Sequence, residues 1–166
     1  CEDTGMHSVL VDPRDARCIR VAISCGGVWQ TADGGAHWDL TAEGMKADYL
    51  PPEIEQDPNT QDPHRMVQCQ SDPDVLWVQH HCGIYRSTDG GATWAALSEG
   101  VGGPVDFHQM EVGRADPAQV WGAHHGAVLQ RSAGRAGIWD EHAAILDAIH
   151  TGNADLAASL SEGHAN

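Results

Sequence analysis

Cysteine and histidine side chains recur at matching positions of an internal repeat, and both residue types bind transition metals. When the two Asp-Gly-Gly segments are aligned, Cys25, His81 and His125 share one position, and Cys82 lies beside it. Thiolate and imidazole groups are the usual ligands of tetrahedral zinc sites, at distances of about 2.0–2.3 Å. These four residues therefore form a candidate zinc site. The alternative is that they are polar strand ends exposed to solvent.

The repeat that sets this alignment is a turn motif. Residues 87–94 read Ser-Thr-Asp-Gly-Gly-Ala-Thr-Trp, and residues 31–38 read Thr-Ala-Asp-Gly-Gly-Ala-His-Trp. An Asp carboxylate can accept hydrogen bonds from the N–H groups of its own turn, while glycine permits positive φ. Each segment therefore predicts a hairpin turn held by its Asp and closed by its Trp. The predicted structural residues are Thr31, Asp33, Gly35, Trp38, Ser87, Asp89, Gly91, Thr93 and Trp94.

Three repeat units are visible once these turns are aligned, at about 7–44, 64–100 and 108–138. Each unit contains short apolar runs separated by turn signals, which predicts about four strands a unit. In the third unit the turn at 131–139 keeps its glycines and Trp139 but has lost the Asp, so a looser hairpin is expected. The pattern predicts an all-β region over 1–138.

The turn motif resembles the Asp-box, also called the BNR repeat, of bacterial sialidase-like and sortilin-like β-propeller proteins. The second copy matches every specified position, whereas the first has His37 in place of Thr. The resemblance implies a partial or open β-propeller of about three four-stranded blades. Closed propellers need about four to eight blades. Closure would therefore require a homo-oligomer or additional blades from a longer chain.

The same resemblance has consequences for where ligands bind. Asp-boxes in these families lie at the outer blade edges, away from the ligand site, so Asp33 and Asp89 are expected to be structural. Propeller ligands usually bind near the central axis. His7, His64 and His108 begin the three units and either line that axis or cap strand starts.

An insertion at 45–63 separates the first two units. It is rich in proline and acidic residues, which indicates a loop. Long loops on rigid scaffolds often carry binding sites, so Tyr49, Glu53 and Glu55 are candidate binding residues. The alternative is a solvated connection.

A binding function is favoured over catalysis. Sialidases use an arginine triad, a tyrosine nucleophile with a Glu partner and an aspartic acid, but arginines are few here and only Tyr49 lies in a loop. We therefore expect a non-catalytic binding or assembly module for a protein or glycan partner. The alternatives are a glycosidase- or sialidase-like hydrolase and a Cys/His metal-binding protein, and zinc is the one cofactor considered.

The C-terminal segment 139–166 has a helical period instead. Ile138, His142, Ile145 and Ile149 recur at spacings of three and four, which predicts a helical tail. This tail resembles the end of the FCD domain of GntR-type regulators. That resemblance implies a metal-ligand role for His142, with a structural role as the alternative.

Composition restricts the partners. The 166-residue chain has a formal net charge of −15 and a pI near 4.8, which disfavours contacts with nucleic acid phosphates. No apolar run approaches the about 20 residues of a membrane span. Five cysteines without a Cys-x-x-Cys pair indicate neither a disulfide framework nor a zinc ribbon. This favours a reducing compartment such as the cytoplasm, with the periplasm or secretion as the alternative if a leader is removed.

Overall fold

Three antiparallel sheets make up the part of the chain that the computed structural model describes, residues 4–97, 109–124 and 127–132. The first sheet contains β1 (Met6–Val11), β2 (Ile19–Ile23), β3 (Gly27–Thr31) and β4 (Asp39–Leu40); the second contains β5 (Pro63–Gln68), β6 (Leu76–His80), β7 (Gly83–Ser87) and β8 (Ala95–Ala96); the third contains β9 (Gln109–Val112), β10 (Gln119–His124) and β11 (Ala127–Ser132). In each sheet the strands follow one another in chain order. Short strands joined by tight turns give this up-and-down pattern.

The first strands of the three sheets adjoin one another, as the inner strands of propeller blades do. Met66 N–H in β5 donates to Ser8 Oγ in β1 at 2.9 Å, and Arg65 Nε donates to the Met110 carbonyl in β9 at 3.3 Å. The prediction of an all-β, partial propeller is therefore confirmed. The predicted helical tail at 139–166 and the third turn at 133–139 lie outside the described residues.

The apolar cores lie between successive sheets. Ala22 and Val28 of the first sheet pack in one buried cluster with Met66, Val78 and Tyr85 of the second. A second cluster joins the other face of the second sheet to the third; its members include Val67, Trp77, Ile84, Met110 and Val120. Because both faces of the second sheet are covered, every residue of β6 is buried, and this strand is apolar from Leu76 to Val78.

The Asp89 turn closes the hairpin between β7 and β8. Asp89 Oδ1 accepts from Ser87 Oγ at 2.7 Å and Thr93 N–H at 3.0 Å, while Oδ2 accepts from Thr93 Oγ1 at 2.6 Å. Gly90 and Gly91 take positive φ values of 75° and 92°. Trp94 is buried, and its Nε1 donates to the Thr41 carbonyl of the first sheet at 2.7 Å. This turn therefore links two sheets as well as two strands.

The Asp33 turn between β3 and β4 repeats these contacts with one replacement. Asp33 Oδ1 accepts from the N–H groups of Ala36 and His37, and its Oδ2 lies 2.7 Å from His37 Nδ1. The imidazole thus occupies the role that the Thr93 hydroxyl has in the other turn. Trp38 is 38% exposed, because no sheet precedes the first one in the described part of the chain.

The insertion at 45–63 is packed at both ends and exposed at its tip. Met45 and Ala47 are buried near its start, and Gln61 is buried near its end. Gln61 Nε2 donates to the carbonyls of Glu55 and Asp57 at 3.0 and 2.9 Å, which closes the loop on itself. Residues 51–54 are exposed at the tip, and a 3-10 turn follows at Pro58–Thr60. The insertion is therefore a fixed part of the fold with a solvated tip.

No helix in the described ranges is long and apolar enough to cross a membrane.

Candidate functional site

Three potential metal ligands converge where the insertion meets the second sheet. Asp62 precedes β5, His64 is the second residue of β5, and His81 lies in the turn between β6 and β7. One ligand atom from each lies within 4.8 Å of the other two. His64 Nε2 is 3.4 Å from Asp62 Oδ2. These residues form what we call the Asp62 cluster.

Backbone contacts hold Asp62 in place. The Asp62 Oδ1 accepts from the Cys25 N–H at 3.2 Å, and the Asp62 backbone N–H donates to His80 Nε2 at 2.8 Å. The His81 N–H donates to the Asp62 carbonyl at 3.0 Å. Burial raises the pKa of Asp62, but the hydrogen bond to His64 and the nearby imidazoles and N–H group lower it more, so its net pKa is below the usual value. Asp62 is therefore an ionised, nearly buried carboxylate.

His80 supports this arrangement from the core. Its ring is fully buried, lies edge-on to Tyr85 at 5.4 Å, and has the Cys82 N–H 3.0 Å from Nδ1. Burial lowers the pKa of His80 to about 4, against the opposing charge of Asp62. A neutral ring accepts from one of the two N–H groups, those of Asp62 and Cys82, whereas a protonated ring has no acceptor nitrogen for either. His80 is therefore a neutral structural residue.

Further rings surround the Asp62 cluster. The His64 ring lies 5.8 Å from His7 and 5.6 Å from His81, and Tyr49 meets His81 edge-on at 5.2 Å. Partial burial, with the charge of Asp62, raises the pKa of Tyr49 to about 12. His7 and His64 come together at the start of adjoining inner strands, whereas His108 lies outside the described residues.

The cluster and the Asp33 and Asp89 turns lie at opposite ends of the sheets. Strand β3 starts just after the turn that contains Cys25 and ends at Thr31, where the Asp33 turn begins. Strand β7 likewise runs from the His81 turn to Ser87. The Asp residues of the two turns are therefore remote from the converging histidines.

The predicted Cys/His set is not assembled as expected. Cys25 is disulfide-bonded, so it offers no thiolate to a metal. The turn between β2 and β3 has three residues, with Cys25 at φ 51°, but the turn between β6 and β7 has only two. The two turns therefore differ in length by one residue. His125 lies outside the described residues.

Cys82 follows His81 in the chain but is not a member of the Asp62 cluster. Burial raises the pKa of its thiol, although the backbone N–H groups of Asp48 and Tyr49 near the sulfur act the other way. Cys18, Cys69 and Cys82 are free cysteines. Because Asp48 and Tyr49 belong to the insertion, the Cys82 sulfur faces the insertion.

Asp62 was not identified from the sequence, and His64 was grouped only with the other two histidines that begin the repeat units. One signal was present: Asp62 and His64 are two residues apart at a strand start, a spacing that puts side chains on one side of an extended chain. Strand pairing then supplies the third residue, since Pro63 pairs with His80 and brings the next residue, His81, beside Asp62.

The candidate binding residues of the insertion are separated. Tyr49 adjoins the cluster, Glu55 lies 3.3 Å from Lys46 Nζ, and Glu53 is exposed at the tip. A cleft of about 810 Å³ lies between the insertion and the outer strands of the first two sheets; its lining includes Leu40, Lys46, Asp48, Cys82, Tyr85 and Ala96.

The carboxyl pKa values that clearly depart from their usual values all shift in one direction. Glycosidases need a carboxylic acid whose raised pKa keeps it protonated near neutral pH. Among the described residues, every carboxyl pKa that clearly departs from its usual value is lowered; these are Asp12, Asp15, Asp33, Asp62, Asp74 and Asp89. The described carboxylates are suited to accepting hydrogen bonds.

Comparisons with known proteins identify a shared fold. No protein-family model and no curated protein matches the chain. An ancestral GH74 enzyme superposes with a TM-score of 0.57 at 14% identity, covering 79% of this chain and 17% of that one. YCF48 from Cyanidioschyzon merolae superposes with a TM-score of 0.53 at 18% identity, covering 79% and 35%. The chain thus spans about a sixth and a third of these propeller structures, and the likeness establishes a propeller-like fold.

Proposed function

We propose that this chain is a non-catalytic propeller module that assembles with another protein through the uncovered face of its first sheet. One observation carries the proposal: the β1 part of this face is apolar and exposed, whereas the equivalent part of the second sheet is buried. Exposed apolar surfaces of this kind are typical of interaction sites.

Strand pairing defines the two equivalent faces. Val9 pairs with Val21, and Val21 pairs with Trp29, so these three residues share one face of the first sheet. Met66, Val78 and Tyr85 are paired in the same way in the second sheet. We call the first set, with its neighbours Met6 and Val11, the leading face.

The difference in exposure is large. Met66 is 1% and Val78 0% exposed, because the first sheet covers them. On the leading face the three β1 residues Met6, Val9 and Val11 are 63%, 57% and 53% exposed, whereas Val21 on β2 is 7% exposed. Burying an aliphatic side chain of this size fully stabilises a complex by about 1.5–3 kcal/mol. These side chains are therefore available to stabilise association.

We assign the partner as a second copy of this chain. The leading face has the same strand pairing as the Met66, Val78 and Tyr85 face of the second sheet, which the first sheet covers. Another sheet of the same kind is therefore expected to fit the leading face. Two copies of three sheets would give six blades, within the about four to eight of closed propellers. In such a ring the face of one copy would meet the third sheet of the other.

Two further features support a module that binds without catalysis. The Asp33 and Asp89 carboxylates accept hydrogen bonds from N–H groups of their own turns, which supports a structural role for them. The clearly shifted carboxyl pKa values described above are all lowered, which is the opposite of the shift that a general acid uses.

The oligomeric state tests the proposal. We expect sedimentation velocity of the 166-residue chain to show a reversible dimer, and Val9→Lys with Val11→Lys to weaken its association at least about tenfold. Ile54→Lys is the matched control, because Ile54 is 40% exposed on the insertion. Val9→Thr with Val11→Thr is the second variant, used if the lysines disturb folding. Threonine keeps the β-branched shape, so this pair should weaken association less than the lysine pair does. A stable monomer at all concentrations would overturn the proposal, as would equal weakening by Ile54→Lys.

A further inference from the structure

We propose that Asp62, His64 and His81 bind a divalent transition metal ion, represented by Zn²⁺. The proposal is independent of the leading face, which involves other residues. Two imidazoles and one carboxylate form a donor set that binds zinc and related first-row ions.

The spacing of the donors is close to that of a metal site. Ligand atoms about 2.0–2.2 Å from a tetrahedral ion stand roughly 3.3–3.6 Å apart. His64 Nε2 and Asp62 Oδ2 already lie 3.4 Å apart. All three donor atoms fall within 4.8 Å of one another, so no donor-to-donor distance needs to shorten by more than about 1.5 Å.

The carboxylate is oriented before an ion arrives. The Cys25 N–H engages Asp62 Oδ1, which leaves Oδ2 facing His64. Both neighbouring backbone bonds, from Asp62 N–H to His80 and from His81 N–H to the Asp62 carbonyl, fix the β5 start against the β6–β7 turn. Outer contacts of this type raise metal affinity, and their loss typically costs about 10–100-fold.

Burial is graded across the cluster. The side chains of Asp62 and His64 are each 11% exposed, whereas His81 is exposed. An ion bound here would therefore have two nearly buried ligands and one ligand on the solvent side. That side leaves room for water or a further donor, as in sites with three protein ligands.

Zinc titration of the 166-residue chain tests the site. After EDTA treatment and dialysis, we expect calorimetry to show one Zn²⁺ per chain, with Asp62→Asn, His64→Ala and His81→Ala each weakening binding at least about tenfold. Co²⁺ should give the visible d–d absorption of a low-coordinate site, and Zn²⁺ should raise the Tm of wild type but not of His81→Ala. His81 is exposed, so this variant keeps the core intact.

The chain has eleven histidines in all and supplies its own control for weak binding by those on the surface. His37→Thr removes an exposed histidine at the opposite end of the sheet and installs the residue found at Thr93 in the other turn. We expect it to bind Zn²⁺ like wild type. The proposal is overturned if folded wild type binds no stoichiometric Zn²⁺, or if binding is unchanged in all three ligand variants.

Discussion

The Tyr85 hydroxyl contacts both backbone polar groups of Lys46. It accepts from the Lys46 N–H at 3.1 Å and donates to the Lys46 carbonyl at 3.1 Å. Tyr85 lies on β7 and is buried, whereas Lys46 opens the insertion. One side chain of the second sheet therefore fixes the segment that leads to Tyr49 and Asp62.

We expect Tyr85→Phe to lower the free energy of unfolding by about 1–3 kcal/mol, because it removes the partner of two backbone groups in a partly buried place. The ring itself and its packing are retained. Chemical denaturation of the variant measures the change. Tyr49→Phe is the matched control: Tyr49 is 46% exposed, and we expect a change within about 0.5 kcal/mol. Equal effects of the two substitutions would contradict the assigned role of Tyr85.

Gly44 lies in the segment that follows β4, at a point where its backbone approaches the second sheet. It has φ +91°, and a Cβ there would collide with the Trp94 carbonyl oxygen. We expect Gly44→Ala to destabilise the protein by at least about 2 kcal/mol, since both the conformation and the contact oppose a side chain. Gly34→Ala separates the two causes, because Gly34 has φ +80° but open space around it. Thermal unfolding should show a smaller loss for Gly34→Ala, of about 1 kcal/mol.

The features that could be predicted from the sequence are those that depend on interactions between residues close together in the chain. The Asp33 and Asp89 turns were predictable because each closes with hydrogen bonds between residues a few positions apart. The alignment could not reveal that Cys25 is disulfide-bonded or that the β2–β3 turn is one residue longer than the β6–β7 turn.

The Asp62 cluster depends on contacts that local patterns do not contain. Asp62 belongs to the insertion, which has no counterpart in the other units to align with. It reaches His81 only through the pairing of β5 with β6. The exposed leading face was also missed, because the alternating pattern of β1 does not reveal which face a neighbouring sheet covers.

Acid should weaken the Asp89 turn. Burial acts to raise the pKa of Asp89, but the hydrogen bonds from Thr93, Ser87 and the Ala92 N–H outweigh it and lower the pKa from 3.8 to about 2. A depressed folded-state pKa contributes stability that is present above the unfolded value and is lost as the pH falls through the folded one. The contribution of Asp89 should therefore be complete above about pH 4 and disappear towards pH 2.

Asp89→Asn tests this dependence. We expect it to cost roughly 1 kcal/mol at neutral pH, since one charged acceptor is replaced by a weaker one at an exposed turn. Urea unfolding from pH 7 to pH 2 should show the gap between variant and wild type closing below pH 4. A gap that stays constant would show that the carboxylate's charge is unimportant to the turn. Asp39→Asn, at an exposed position on β4, is the control.

Salt should strengthen the proposed dimer. Each copy carries a formal charge of −15, so two copies repel one another, while the leading face that joins them is apolar. Added salt screens this repulsion, since the Debye length falls from about 10 Å at 0.1 M to about 3 Å at 1 M. Sedimentation velocity in increasing NaCl should therefore show a falling dissociation constant. The Val9→Lys, Val11→Lys variant should associate more weakly than wild type across the same range, because screening restores no apolar contact. An association that weakens with salt would instead indicate ion pairs across the interface and would exclude the leading face as its main source of stability.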